Sequence, residues 1–108
     1  MLEVLTTDDG DLVICPHGEI GPDGSGELRH VLVHSVRRVR PSRLILDLGD
    51  VPELDPINLG AVAAACELGD DHAVTMFVRN PSALLAAQLT AAGVPRQRVR
   101  SVGGPPEI

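Results

Sequence analysis

Residues 44–68 constrain the fold most strongly, because an apolar segment passes there through a polar loop into an Ala-rich segment. Residues 44–48 read Leu-Ile-Leu-Asp-Leu, which predicts a short strand. Residues 49–56 contain two Pro and three acids, and a helix is predicted from Ile57 to Leu68. Function in open α/β folds sits where strands end and helices begin, so this turn is the first candidate for a functional surface.

Four further segments have the pattern of strands. Residues 2–5 and 12–15 are apolar on either side of an Asp-Asp-Gly-Asp turn, which predicts an antiparallel hairpin. Residues 73–78 form another apolar segment, and residues 96–102 can form a last short strand. Strand three, residues 43–48, has a continuous Leu-Ile-Leu centre, which is typical of a parallel strand covered on both faces.

Helices are predicted between these strands. The first has Ser25 as its cap and stops before Pro41. The middle helix is expected to stop at Gly69. The third is expected to begin with Asn80 as its cap and to end at Gly93.

The order of elements predicts one α/β domain over residues 1–102, followed by a flexible tail over residues 103–108. The expected architecture is a small, mostly parallel mixed sheet with an N-terminal β-hairpin and helices packed against the sheet. The length of 108 residues is sufficient for one domain with its own core.

Composition excludes several classes of function. The net charge is −6, all nine cations are Arg, and Phe77 is the single aromatic residue. An acidic chain without stacking side chains is a poor nucleic-acid binder. The N-terminus has no basic run, and no apolar run approaches the roughly 20 residues of a membrane span. We therefore expect a cytoplasmic protein without direct membrane insertion, and the Arg-, Ala-, Gly- and Pro-rich composition is typical of a GC-rich bacterial genome.

The candidate chemistry is weak. The acids around the turn, Asp47, Asp50, Glu53 and Asp55, could serve acid/base work or bind Mg²⁺. We instead interpret Asp55 as the helix cap and Asp50 and Glu53 as solvated loop charges. His30 and His34 have the spacing of a two-His metal pair, yet they lie opposite the apolar stripe of their helix and are interpreted as exposed histidines.

Two other features carry no motif. The glycine-rich loop of residues 21–26 lacks the Gly-Lys-Ser/Thr ending of a P-loop, so a nucleotide site is not favoured. Cys15 and Cys66 sit in apolar runs without a Cys-x-x-Cys pattern and are expected to be reduced core residues. We therefore expect no enzyme activity, no cofactor and no metal.

The middle helix is apolar nearly all round, with Glu67 as its only charge. Such a helix is either deeply buried or contacts a partner, and the sequence leaves both alternatives open. One apolar stripe comprises Leu59, Val62, Ala63 and Cys66; the second comprises Ala61, Ala65 and Leu68.

The order of short motifs resembles the STAS domain of anti-sigma-factor antagonists over about residues 2–102. The matching segments are Gly18-Glu19-Ile20, Leu46-Asp47-Leu48-Gly49-Asp50-Val51, Leu54-Asp55-Pro56-Ile57-Asn58-Leu59-Gly60 and Asn80-Pro81-Ser82. The resemblance implies a small mixed sheet with helices and a protein partner, a kinase-type anti-sigma factor. In that family the kinase phosphorylates the second hydroxyl residue after the Asp of the turn, and the phosphate breaks the complex.

This chain departs from the family pattern at three positions. The phosphorylated position falls on Ile57, the preceding family Ser falls on Pro56, and the Asp ending the first family motif falls on Gly21, whereas Asp55 is retained. Ile57 has no hydroxyl group, so the resemblance implies a binding module that cannot be phosphorylated at this turn. Phosphate on Ser25, Ser35 or Ser82 would show that the control has moved.

We therefore predict a regulator that binds an anti-sigma factor or regulatory kinase through residues 53–62 and the loop of residues 20–25. Two alternatives remain: a STAS subunit of an ABC-type membrane transport assembly, and a small-ligand sensor that uses the loop. A homodimer is also among the assemblies that the sequence allows. The predicted partner-binding residues are Asp55, Pro56, Ile57, Asn58, Leu59, Ala61, Gly21 and Asp23.

Overall fold

The computed structural model describes residues 2–18 and 25–100, which form a five-stranded sheet packed against three α-helices. The strand order follows the sequence, β1-β2-β3-β4-β5. The first two strands pair in antiparallel register, and all later neighbours are parallel. The predicted mostly parallel mixed sheet with an N-terminal hairpin is therefore confirmed. Residues 101–108, which include the predicted tail, lie outside the described residues.

The strands are short and close to their predicted positions. Their bounds are β1 Leu2–Thr6, β2 Leu12–Pro16, β3 Arg43–Asp47, β4 Thr75–Arg79 and β5 Val99–Arg100. A single 3-10 turn, Arg96–Arg98, precedes β5 and occupies the first half of the predicted last strand.

The helices connect the parallel strands. Their bounds are α1 Ser25–His34, α2 Pro56–Asp71 and α3 Ala83–Ala92. Each connection steps to the next strand in the same direction, and such crossovers are right-handed, so the three helices lie on one face of the sheet.

The two faces of the sheet are covered unequally. Leu44, Leu46 and Met76 point towards the helices and are fully buried. Ile45 and Phe77, which pair across β3 and β4, are only partly buried on the other face. The prediction that β3 is covered on both faces is therefore wrong, because all three crossover helices pack on the same side.

The first helix continues beyond α1 as a π-helical segment, Ser35–Val39. The Ser35 hydroxyl donates a hydrogen bond of 2.7 Å to the carbonyl of Val31, a contact known to perturb helices from within. The segment ends at Arg40, whose φ of 52° is left-handed and whose N–H donates to the Ser35 carbonyl. The helix therefore ends just before Pro41, as predicted.

Gly69 does not end α2. The helix continues to Asp71, and Gly69 is buried because the carbonyl of Val74 passes directly over it. A Cβ placed on Gly69 would lie 2.5 Å from that oxygen. The glycine is thus required by close packing of backbone on backbone and not by the helix terminus.

The start of α3 also differs from the prediction. Ser82, and not Asn80, is the cap: its hydroxyl oxygen accepts a hydrogen bond of 3.1 Å from the N–H of Leu85. Asn80 has a left-handed φ of 58°, and its N–H donates to the carbonyl of Arg100. Asn tolerates this conformation well, so it serves the turn. Gly93 ends the helix with a φ of 113°, as predicted.

Candidate functional site

The candidate site is the β3–α2 corner, defined here as residues 49–57. Three apolar side chains hold the connection to the core: Leu48, Val51 and Leu54 are each at most 5% exposed. The Leu48 N–H donates to the carbonyl of Arg79, which joins the start of the connection to the end of β4. The corner is therefore a fixed structure on the carboxyl edge of the sheet.

Ile57 is the most exposed apolar residue of the corner. It is the second residue of α2, follows Pro56, and is 63% exposed. Pro56 and Glu53 are exposed beside it in sequence. Exposure of a large apolar side chain at this point is what the predicted partner surface requires, although contact with a partner stays a prediction.

Asp55 occupies the N-cap position but does not cap α2. Its backbone is extended, and its carboxylate accepts no hydrogen bond from the first helical N–H groups. The carboxylate instead accepts a hydrogen bond from the side-chain amide of Asn58. The predicted capping role is therefore wrong, because the carboxylate is hydrogen-bonded to the side-chain amide of Asn58 and not to the helix backbone.

Asn58 is fully buried, so its predicted contact with a partner is not available in this conformation. The side chain supports the corner from inside, and its Oδ1 atom accepts no hydrogen bond from residues 2–18 or 25–100. Leu59 is partly buried and packs against the core, while Ala61 is partly buried beside α1. Gly21 and Asp23 lie outside the described residues, so their role stays a prediction.

The acids around the corner are held by separate partners. Asp47 accepts hydrogen bonds of 3.0 and 2.8 Å from the guanidinium of Arg79, and a third, of 2.9 Å, from the N–H of Gly49. Asp50 instead contacts His17. Within residues 2–18 and 25–100, no three side chains of metal-binding type form a cluster that could hold an ion.

His17 joins three parts of the chain. Its Nδ1 lies 2.7 Å from a carboxylate oxygen of Asp50, and its Nε2 lies 2.9 Å from one of Glu3. Hydrogen bonding to Asp50, and then to Glu3, raises the pKa of this histidine. The N–H of Gly18 also donates to the Asp50 carbonyl. Sequence reasoning found no role for His17, because its partners lie 14 and 33 residues away.

The remaining candidate residues make no site. His30 and His34 are exposed and their rings stack with centroids 6.2 Å apart. Cys15 and Cys66 are free thiols, the first half-buried and the second fully buried. Burial raises the pKa of the Cys66 thiol to about 11 and also raises that of Cys15.

Both apolar stripes of α2 pack against other parts of the protein. Val62 and Cys66 are buried in the core, with Ala63 partly buried beside them. Ala65 and Leu68, from the second stripe, face α1 across a groove. The sequence left open whether this helix is deeply buried or contacts a partner. Core packing covers most of the apolar surface of α2, and the rim of the groove remains exposed.

Comparison with known proteins gives structural matches alone. No protein-family model matches the chain, and no curated protein matches it. The Bacillus cell fate determinant SpoIIAA in its phosphorylated form superposes with a TM-score of 0.79 at 13% identity, over 96% of this chain and 93% of that chain. A putative anti-sigma factor antagonist from Thermotoga maritima gives 0.79 at 14% identity, over 95% and 87% of the two chains.

A second group of matches comes from transporters. A sulfate transporter family protein from Wolinella succinogenes gives a TM-score of 0.71 at 20% identity, over 89% of this chain and 80% of that one. No helix within the described ranges is long and apolar enough to cross a membrane. The likeness at these identities concerns architecture: the chain has the STAS fold, shared by anti-sigma-factor antagonists and by this transporter-family protein.

Proposed function

We propose that the chain is a regulatory protein-binding module, in which the β3–α2 corner contacts an anti-sigma factor or a related regulatory kinase. The exposure of Ile57 carries this proposal. The side chain stands at the start of a helix, on a connection whose neighbouring apolar residues are buried. A preformed contact residue loses little conformational entropy on binding.

The energetics are adequate for an anchor residue. Complete burial of an Ile side chain stabilises by about 1.5–3 kcal/mol, so covering the exposed part of Ile57 contributes about 1–2 kcal/mol. Glu53 and Asp55 place carboxylates beside it in the chain, which favours a partner with cationic groups around an apolar pocket.

The proposed module has no covalent switch at this corner. A phosphate adds about −1.5 to −2 charges and would stand beside Glu53 and Asp55, where repulsion and desolvation weaken an interface. Ile57 offers no hydroxyl for that reaction. Binding at this corner is then constitutive and is controlled by the amount of each protein.

The structural relatives support the class of partner by analogy of fold. The identity of the partner follows from the genome that encodes this chain. The candidates are kinase-type anti-sigma factors encoded there, with those whose genes adjoin this one tested first.

The test is calorimetric titration of those candidates with the wild-type chain and with the Ile57→Glu variant. Leu5→Glu is the matched control, because Leu5 is 48% exposed on the edge strand β1 and pairs with Val13 near the amino end of β2, opposite the carboxyl edge that carries the corner. We expect Ile57→Glu to weaken binding at least about tenfold, or 1.4 kcal/mol, and Leu5→Glu to leave the affinity unchanged. Absence of binding to every candidate, or equal effects of both variants, refutes the proposal.

Incubation of the complex with ATP tests the missing switch. We expect no phosphate on the chain. Ser35 is buried and its hydroxyl donates to Val31, so it is a poor acceptor, whereas Ser82 is exposed at the start of α3. Phosphate on Ser82 with loss of binding would mean that control has moved to α3.

A second candidate function is a subunit of an ABC-type membrane transport assembly. The fold shared with the Wolinella sulfate transporter family protein supports an association with transport in general. Co-purification of the tagged chain with an ABC-type ATPase from membranes, unaffected by Ile57→Glu, would favour this function over the first.

A further inference from the structure

A groove of about 280 Å³ lies between α1 and α2 on the outer side of the helix layer. Helix α2 contributes Leu68 and three Ala side chains. Helix α1 contributes Arg29 and Val33, and the π-helical segment that continues it contributes Arg37. Among the described residues, no carboxylate lines it. The groove is therefore apolar along its α2 side and cationic along its α1 side.

The apolar side of the groove is continuous with the corner. On a helix with about 100° per residue, positions 57, 61, 64 and 68 fall within about 60° of one another. Ile57 therefore begins the stripe that Ala64 and Leu68 continue along the groove. Ala64 is exposed, and Ala61 and Leu68 are partly buried, so the stripe remains accessible over its length.

The charges of the groove are opposite to that of the whole chain, whose net charge is −6. Arg29 and Arg37 are exposed, and neither forms an ion pair with another described residue. They stand eight residues apart, one on α1 and the other on the π-helical segment that continues it, which is on the order of 10 Å, or roughly two turns, along the helix axis. The other ionisable groups near them in sequence are Glu27, His30 and His34 on α1 and Arg38 and Arg40 beyond it; α2 adds the exposed Glu67 and Asp71.

The shape of the groove selects among anionic partners. A flat bilayer cannot reach the concave apolar side, and the net negative charge of the chain opposes attachment to anionic lipid. A helix can lie in it, because the small side chain of Ala64 permits close approach of a second backbone. Carboxylates two turns apart on such a helix would reach both arginines.

We propose that the protein partner inserts an acidic amphipathic helix into this groove, with apolar side chains on Ala64 and Leu68 and carboxylates on Arg29 and Arg37. The inference rests on the proposed function, since the occupant belongs to a regulatory protein. It extends the contact surface from Ile57 along α2 and names the chemistry of the partner segment.

The test uses a fluorescein-labelled amphipathic peptide of about 18 residues, or about 27 Å as a helix, with Leu on one face and Glu flanking it. A second peptide carries Lys in place of every Glu. Fluorescence anisotropy should show that the acidic peptide binds with a Kd below about 1 mM, more weakly as salt is added, and that the basic peptide does not bind.

Charge reversal supplies the decisive variant. Arg29→Glu/Arg37→Glu should abolish binding of the acidic peptide and create binding of the basic one. Arg38→Glu is the matched control, because Arg38 is exposed one residue away and does not line the groove, and it should leave the acidic peptide bound. Ala64→Trp should block the groove, whereas Ala83→Trp, exposed on α3, should not.

Equal binding of the two peptides, no binding of the acidic one, or indifference to the double reversal overturns the inference. Attachment to phosphatidylglycerol vesicles that the double reversal abolishes, without peptide binding, would assign the groove to a membrane and also overturn it. If binding of a partner depends on Ile57 but not on Arg29 and Arg37, the proposal of an acidic helix in the groove is refuted and the proposed function stands. If binding depends on the arginines but not on Ile57, the proposed contact at the β3–α2 corner is refuted.

Discussion

The side-chain amide of Asn58 donates a hydrogen bond to the carboxylate of Asp55, three residues before it. Asn58 is fully buried, whereas Asp55 is partly exposed at the first position before α2. The contact attaches the base of the β3–α2 corner to the interior. It also makes Asp55 a residue with a structural role, in addition to any contact with a partner.

Asp55→Ala should therefore lower the free energy of unfolding by about 1–3 kcal/mol, because the buried amide of Asn58 loses its hydrogen-bond acceptor. Urea unfolding measures the change. Glu53→Ala is the control: Glu53 is exposed in the same connection, forms no hydrogen bond among the described side chains, and should change stability by less than about 0.5 kcal/mol. Equal effects of the two variants would contradict the structural role.

A consequence concerns the choice of binding variants. Charge reversal at Asp55 changes both the surface and the support of the corner, so a loss of binding there has two explanations. Ile57→Glu changes an exposed side chain and is the cleaner test of the proposed contact.

Two glycines of α2 give a matched pair. Gly69→Ala should lower the free energy of unfolding by about 1–3 kcal/mol, because its new Cβ would lie 2.5 Å from the backbone oxygen of Val74 and the chain would have to shift. Gly60→Ala should raise it by about 0.5–1 kcal/mol, since nothing lies within 4 Å of the new Cβ and Ala favours the helix. Effects of the same sign at both positions in urea unfolding would be inconsistent with this packing.

The same glycine shows where sequence reasoning stops. Periodicity located α2 and the strand before it, because local apolar pattern specifies both. Gly69 has the usual signature of a helix end, yet the reason for it is the carbonyl of Val74, which becomes its neighbour only after the chain has folded back. Asn80 and Ser82 are a second case: both are good cap residues, and the left-handed turn at Asn80 leaves the capping position to Ser82.

The candidate site divides in the same way. The exposure of Ile57 follows from its place at the start of a helix after a Pro, and the sequence predicted it. The burial of Asn58 did not follow from the sequence, because a polar side chain beside an apolar one gives no indication of which of them faces inward. The contact of His17 with Glu3 and Asp50 depends on strand register, which a single sequence does not encode locally.

The thiols should differ in reactivity. Burial raises the pKa of Cys66 from 9.0 to about 11, which reduces its thiolate fraction near neutral pH about a hundredfold, and the side chain is 1% exposed. Under native conditions Cys15, which is half-buried, should react first with a thiol reagent, and Cys66 only through opening of the structure.

Labelling of the Cys15→Ser and Cys66→Ser variants separates the two rates. Denaturant should remove the difference between them. Native labelling of Cys66 as fast as that of Cys15 would argue against the packing of α2 on the sheet.

His17 should make stability depend on pH. Both ring nitrogens face carboxylate oxygens, which can only accept, so both hydrogen bonds require the protonated ring. The hydrogen bond to Asp50, and then that to Glu3, raises the folded-state pKa above the unfolded value of about 6.5. The stabilisation is thus fully present below about pH 6.5 and is lost as pH rises through the folded pKa.

Thermal unfolding at a series of pH values measures this effect. The Tm of His17→Gln should be below that of the wild type at acidic pH and should approach it at alkaline pH. His30→Gln is the control, because His30 is exposed and forms no ion pair among the described residues, and it should show no such convergence. A constant difference between His17→Gln and wild type across this range would mean that the ring does not link β1 to the β3–α2 corner through its charge.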